Sequence, residues 1–382
     1  MRVLLLTLLL VVCVSVNGGF FGKLGDKVKK TFGGEGSVGQ KLKNITKTKF
    51  EKVKKIFGSV SVAKIREKLS TWKDKVKKML ELTPRMLTVL KEKLAVGSGG
   101  DSLRHHTLLN QCEFQKLRPI KRVQVHEEGD TIEEINQKSE VDGYLFQSDI
   151  VLTEEQAEEL EKDIDDLSSG KPRRRRQAFR DRRYPGTIWG EGVNYYFDYN
   201  ASPKLRSVFK KGANAWQTNT CINFKEDSEA TDKIRVFFEK GCWSYVGRRG
   251  GKQDLSLGKG CDAVATATHE LGHALGFYHT MARHDRDEYI IINVQNIQPG
   301  LYDQFTKQTT NTNENYNITY DYGSIMNYGG RAGSYNGEAV IVPNDVMYQE
   351  TLGGPFLAFY DILMMNTHYN CLGELASEGC LD

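Results

Sequence analysis

His269, Glu270 and His273 stand together in the run Thr268-His269-Glu270-Leu271-Gly272-His273, and a third histidine, His279, follows shortly after. On a helix, residues four apart lie one turn apart on one face, so His269 and His273 can aim both imidazoles at one metal ion while Glu270 projects beside them. Gly276 separates this segment from His279. A glycine takes positive φ without steric cost, so the backbone can leave the helix there and bring His279 back as a third ligand. Three neutral nitrogens leave a fourth position open, the mark of catalytic zinc, whereas structural zinc is closed by four protein ligands, usually thiolates. One Zn2+ per chain is expected, with Glu270 placed to take a proton from water. The other histidines, His105, His106, His126, His284 and His368, have no such partners in the sequence and read as structural or surface groups.

Further along, Ser324-Ile325-Met326-Asn327-Tyr328 supplies a methionine in a turn and a tyrosine two residues later. The histidine motif with this turn resembles the metzincin metalloproteases. Within them, Gly241-Cys242-Trp243-Ser244-Tyr245-Val246-Gly247, Cys221-Ile222-Asn223-Phe224 and Arg283-His284-Asp285-Arg286-Asp287 look like signatures of the astacin family, and the resemblance covers residues 177–371. It implies an α+β catalytic domain with a twisted mixed sheet and helices in its N-terminal half, an irregular C-terminal half and a cleft between. It implies that His269, His273 and His279 bind zinc, that Glu270 is the general base and that Met326 underlies the metal. Tyr328 would be a labile further ligand that swings away and then donates to the oxyanion. The reaction would be hydrolysis of internal bonds in protein or peptide substrates. Family disulfides map to Cys221 with Cys371 and Cys242 with Cys261, which leaves Cys380 as the odd thiol.

Tyr144-Leu145-Phe146-Gln147-Ser148-Asp149-Ile150 resembles the astacin propeptide motif of Phe, two residues, then Asp, in which the carboxylate, here Asp149, takes the zinc position meant for water in the latent form only. Cys112 is a weaker rival for that position. Two residues depart from the family pattern: Ser148 stands where the family usually has Gly, and Thr280 where it usually has the Glu that helps receive a new N-terminus after activation.

The elements that must position these groups read as alternating α and β. Val193 to Tyr199 and Ile234 to Phe238 are strand candidates, and Lys204 to Trp216 is a helix with Leu205, Val208, Phe209 and Ala213 on one side. Gln253 to Leu257 is a candidate edge strand for pairing with an extended substrate. Before the catalytic region, Thr153-Glu154-Glu155-Gln156 reads as a helix start in which Thr153 caps and Gln156 reaches back. Farther upstream, Val62, Ile65, Leu69, Trp72, Val76 and Met79 follow helical spacing, with lysines on the other faces. Such a stripe suits an anionic membrane surface or, preferred in a precursor, a scaffold face.

The chain has 382 residues, of which 39% are hydrophobic, enough for a sizeable core and against a wholly disordered reading. Residues 1–18 have a positive start, a short apolar run and small residues near Gly18, which reads as a secretory signal. A secreted, extracellular protein without a stable membrane span is expected, with Asn44, Asn200 and Asn317 as glycosylation candidates. Seven cysteines fit that compartment: Cys13 leaves with the signal, and four of the five in the C-terminal half should pair. The net charge of +4 hides an asymmetry, since residues 19–95 carry 21 Lys and Arg against 7 Asp and Glu. The run Arg173 to Arg176 after Lys171-Pro172 reads as a proprotein convertase site ending at Arg176, in preference to a polyanion patch. No repeat or aromatic-studded basic stripe points to nucleic acid. The expected organisation is a signal over 1–18, a partly helical propeptide over 19–176, a catalytic domain over 177–371 and a short tail over 372–382.

Overall fold

A computed structural model describes residues 61–80, 88–89, 126–168, 178–180, 183–309 and 313–371. The signal, Asn44, Cys112, Arg173 to Arg176, Cys380 and the tail lie outside the described residues. Helix α1 (Ser61–Leu80) carries the basic amphipathic stripe. Ile65, Leu69, Trp72, Val76 and Leu80 are buried, and Met79 packs partly buried at the margin, so the stripe faces the chain itself. Then come α2 (Ile132–Lys138), the two-residue strand β1 (Ile150–Val151) and α3 (Glu154–Ser168). At the start of α3 the Thr153 N–H donates to Gln156 Oε1 at 2.9 Å and the Gln156 N–H to Thr153 Oγ1 at 3.2 Å, the reciprocal cap read from the sequence.

Downstream come β2 (Ala178–Phe179) and β3 (Val193–Phe197), followed by α4 (Pro203–Asn219), whose N-cap Ser202 accepts from the Leu205 N–H. Next are β4 (Phe224–Glu226), β5 (Lys233–Phe237), β6 (Cys242–Tyr245), β7 (Lys252–Leu257) and α5 (Val264–Ala274). Beyond α5 regular structure thins to short 3-10 turns, the strands β8 (Ile290–Ile292), β9 (Asn313–Glu314) and β10 (Ile341–Pro343), and a last helix, α6 (Phe359–His368). This is the α+β division expected, with a regular first half and an irregular second.

The main sheet has the order β1-β6-β7-β5-β3-β4, with β6 antiparallel to β7 and the other pairs parallel. One expectation fails here. Gln253 to Leu257 lies in β7, which pairs with β5 on one side and β6 on the other, so it is an interior strand. The sheet ends on β4 at one side and on β1 at the other, where β1 covers β6 through Ile150 to Ser244 and Val151 to Tyr245. Helices α4 and α5 share the core with the sheet, where Phe209, Trp216, Ile234, Leu255, Leu271 and Met365 are fully buried. Cys221 is joined to Cys371 and Cys242 to Cys261. Asn200 and Asn317 are both exposed, and the Asn200 amide is paired with the backbone of Phe238. Among the described residues no helix is long and apolar enough to cross a membrane.

Candidate metal centre and its covering segment

Helix α5 delivers His269 and His273 from one face, and its C-terminus turns the chain toward His279. The Phe277 N–H donates to the Gly272 carbonyl at 3.0 Å and the Gly276 N–H to the His273 carbonyl at 2.8 Å. That pair of bonds closes a Schellman motif, and Gly276 supplies the positive φ it requires, at 114°. All three histidines are buried. The Nε2 atoms of His273 and His279 lie 3.1 and 3.2 Å from that of His269. Asp149 closes the set: its Oδ2 is 3.2 Å from both His269 and His279, and its Oδ1 is 3.4 Å from His273.

These spacings fit a metal. Four donors bound at about 2.0–2.1 Å around one ion in a regular tetrahedron sit about 3.3–3.4 Å apart. The outer ring nitrogens fix the tautomers, because Nδ1 of His269 and of His273 each lie 2.7 Å from a carbonyl oxygen, that of Ile325 and that of Phe277. A carbonyl only accepts, so Nδ1 holds the proton and the Nε2 lone pair points inward. Burial pushes the His279 imidazole down to about 4 and lowers His273 as well, which keeps both neutral. Three lone pairs converging with a carboxylate are held together by a cation, and the buried His3Asp set fits a single zinc ion.

Glu270 lies beside this centre, fully buried, and neither carboxylate oxygen has a hydrogen-bond partner among the described residues. Burial first, then the charge of Asp149, raises its carboxyl well above the usual range. The Tyr328 ring packs against His279 with centroids 4.5 Å apart, and its hydroxyl donates to the main-chain carbonyl of Gln147. Met326 lies below, with its sulfur against Gly272. Thr280, where the family usually has Glu, donates through Oγ1 to Ser324 Oγ at 2.9 Å, and Ser324 donates to Asp361 Oδ1 at 2.5 Å. Asp361 also accepts from the Ile325 N–H at 3.0 Å and so ties the methionine turn to α6. Ala178 is paired with Glu314 across β2 and β9. His368 is buried and hydrogen-bonded to the Tyr316 hydroxyl, in keeping with a structural role.

Two contributors escaped the sequence reading. Gln147 donates through Nε2 to the Thr306 carbonyl at 2.8 Å, which turns its Oε1 toward His279 Nδ1 at 3.1 Å. The outer partner of the third histidine therefore comes from the segment that carries Asp149. Asn136 reads β6 as a backbone would: Oδ1 accepts from the Cys242 N–H at 2.7 Å, and Nδ2 donates to the Cys242 carbonyl at 2.6 Å and the Ser148 carbonyl at 2.8 Å. Gln147 sits inside a recognisable motif and could have been weighed. Nothing near Asn136 in the sequence marks it. A cavity of about 170 Å3 remains beside Asp149, lined by Glu133, Thr266, His269, Asn327 and Tyr328 among others.

Residues 181–370 match the Astacin peptidase family. The chain is 51% identical over 261 residues to zinc metalloproteinase nas-31 of Caenorhabditis elegans, an alignment covering 68% of this chain and 43% of that protein. It is 35% identical over 235 residues to blastula protease 10 of Paracentrotus lividus, covering 59% of this chain and 38% of that one. Among solved structures, high choriolytic enzyme 1, a hatching enzyme zinc-protease from Oryzias latipes, matches at 33% identity with a TM-score of 0.47, covering 51% of this chain and 100% of that chain. The chain spans less than half the length of the two curated relatives. With its histidines, methionine turn and fold arranged in this way, the chain belongs to the astacin family of zinc metalloproteases.

Proposed function

We propose that this chain is the latent precursor of a secreted zinc-dependent endopeptidase, with residues 19–176 as inhibitory propeptide and activation by a proprotein convertase cutting near Arg176. The observation that carries this reading is the carboxylate of Asp149, lodged against all three histidines while Glu270 beside it is unengaged. A carboxylate in that position excludes water from the place where it would be activated.

When bound, zinc held by His269, His273 and His279 supplies a Lewis acid for the scissile carbonyl and lowers the pKa of the attacking water. Glu270 accepts the proton of that water and returns it to the leaving amine. Tyr328, freed from Gln147, donates to the carbonyl oxygen as it gains charge, a contact worth about 3 kcal/mol in comparable sites. Strand β6, once β1 departs, offers its free N–H and C=O groups to an extended substrate.

The test is to cut the purified precursor with a basic-site convertase, separate the products and assay peptide cleavage with and without a chelator. Glu270→Gln should keep one zinc per chain by metal analysis and lose about 100- to 10,000-fold in turnover. Near-parental turnover in that variant would sink the assignment.

A further inference from the structure

Helix α1 does not touch the metal centre, yet it packs on both parts of the molecule that hold the centre shut. Its lysines descend one side of α3 in step: Lys64 with Glu154 at 2.8 Å, Lys68 with Glu161 and Lys75 with Asp165. Both members of successive pairs rise along the sequence, and each helix advances eleven residues between first and last pair, so α1 and α3 run parallel over about 16 Å. The buried stripe of α1 shares one apolar cluster with Phe146, Ile150, Leu160 and Ile164. Trp72 meets Phe146 edge to face at 6.3 Å, and Phe146 meets Tyr278 at 6.5 Å. Trp72 thus braces from outside the ring three residues before Asp149, and that ring rests on the neighbour of the ligand His279.

The same helix reaches the catalytic domain. Leu301 and Phe305 belong to the cluster that buries Trp72, and the Lys77 ammonium lies over the Tyr302 ring, 5.4 Å from its centroid. A cut after Arg176 falls between α3 and β2 and leaves α1, α2, β1 and α3 on one fragment. It removes a covalent tether but none of these contacts, nor the pairing of β1 with β6 or of Asn136 with Cys242. Loss of a tether lowers the effective concentration of the inhibitor from the millimolar range to that of the solution, which releases only a weakly held partner.

We propose that the cut propeptide stays seated as a non-covalent inhibitory partner of the catalytic domain, with α1 as the strap that retains it, so that dissociation rather than cleavage sets the onset of activity. This rests on the precursor reading above and adds the identity of the partner.

The experiment uses the full precursor, cut to completion by a convertase at micromolar concentration and run on size exclusion at physiological salt. The expected result is co-elution of the two fragments, with activity per mole rising at least tenfold on dilution to nanomolar. The triple variant Lys64→Glu, Lys68→Glu, Lys75→Glu should dissociate at least tenfold faster. Adding Glu154→Lys, Glu161→Lys and Asp165→Lys should restore slow dissociation, because the swapped charges re-form the same three pairs. Fragments that separate at once, or a triple variant that dissociates at the parental rate, would overturn the proposal. Co-elution is read by mass, so it supports the strap even where the separated, zinc-loaded domain proves inert, a result that would sink the protease reading alone.

Discussion

The hydroxyl of Tyr328 donates to the main-chain carbonyl of Gln147, two residues before the carboxylate of Asp149 that caps the three histidines. On the proposed reading, one short segment would withhold two parts of the machinery, the water position and the oxyanion donor. Asp149→Ala, in a precursor whose Arg173 to Arg176 are replaced by glutamine, removes the first restraint and leaves the second. Loss of a charge-assisted contact of ~1.5–3 kcal/mol converts to a gain in activity of about 10- to 100-fold over the uncleavable parent. Cys112→Ala in the same background should change nothing. A silent Asp149→Ala precursor, folded and zinc-loaded, would mean that bulk occlusion by the propeptide closes the cleft.

Ser148 holds φ at 76° inside that segment, a left-handed conformation costing an L-residue about 1–2 kcal/mol. Alanine keeps the strain and loses the hydroxyl, whereas glycine relieves the strain while losing the hydroxyl and ~0.5–1 kcal/mol of chain entropy. The uncleavable Ser148→Ala precursor should therefore leak roughly 2- to 5-fold more activity than Ser148→Gly. Equal leakage from the two would remove backbone strain from the account of latency.

What could be read from the sequence was chemistry carried by short spacings. The two histidines of α5, the turn at Gly276, the Thr153 cap and the stripe from Ile65 to Val76 all depend on residues within a few turns of one another, where helix geometry fixes the outcome. Assignments that depend on remote pairing were not legible. Gln253 to Leu257 has the alternation of a half-covered strand, but its rank in the sheet is set by β5 on one side and β6 on the other. Asn136 serves Cys242 across 106 positions and Asp361 serves Ser324 across 37, and neither asparagine nor aspartate advertises such a partner. The stripe of α1 was visible as a stripe, but the surface that covers it was not.

Asp303 sits in the turn that α1 covers, buried, and its Oδ1 has no hydrogen-bond partner among the described residues. Burial, with Asp142 adding and Lys73 opposing, raises its carboxyl from 3.8 to about 6. The folded chain thus holds this proton more tightly than the unfolded one. Stability from this group is fully present below about pH 4, falls as pH rises through the window from 4 to 6, and is level above it. Asp303→Asn abolishes the ionisation, so relative to the parent it should gain across that window and reach a plateau of at most ~3 kcal/mol near pH 7. Denaturation curves of both proteins from pH 4 to 8 supply the difference, and a flat difference would contradict the burial argument.

Met326 and Gly272 are matched in size. A Cβ on Gly272 would come within 2.5 Å of the Met326 sulfur and 3.4 Å of Trp216 Cζ2, both in the buried core beneath the histidines. Two effects compete in Gly272→Ala: overpacking costs about 1–3 kcal/mol, and replacing glycine within a helix returns about 1 kcal/mol. In the parent the first should win, lowering stability by about 1 kcal/mol and loosening the seat of zinc between His269 and His273. In a Met326→Ala background the sulfur is gone and only the helix term remains, so the same substitution should stabilise by about 1 kcal/mol. The pair is a double-mutant cycle whose single-substitution effect changes sign between backgrounds, measurable by chemical denaturation of the zinc-loaded proteins. An identical effect in both would show that the methionine turn has room to shift, and that Gly272 is required for some reason other than the sulfur above it.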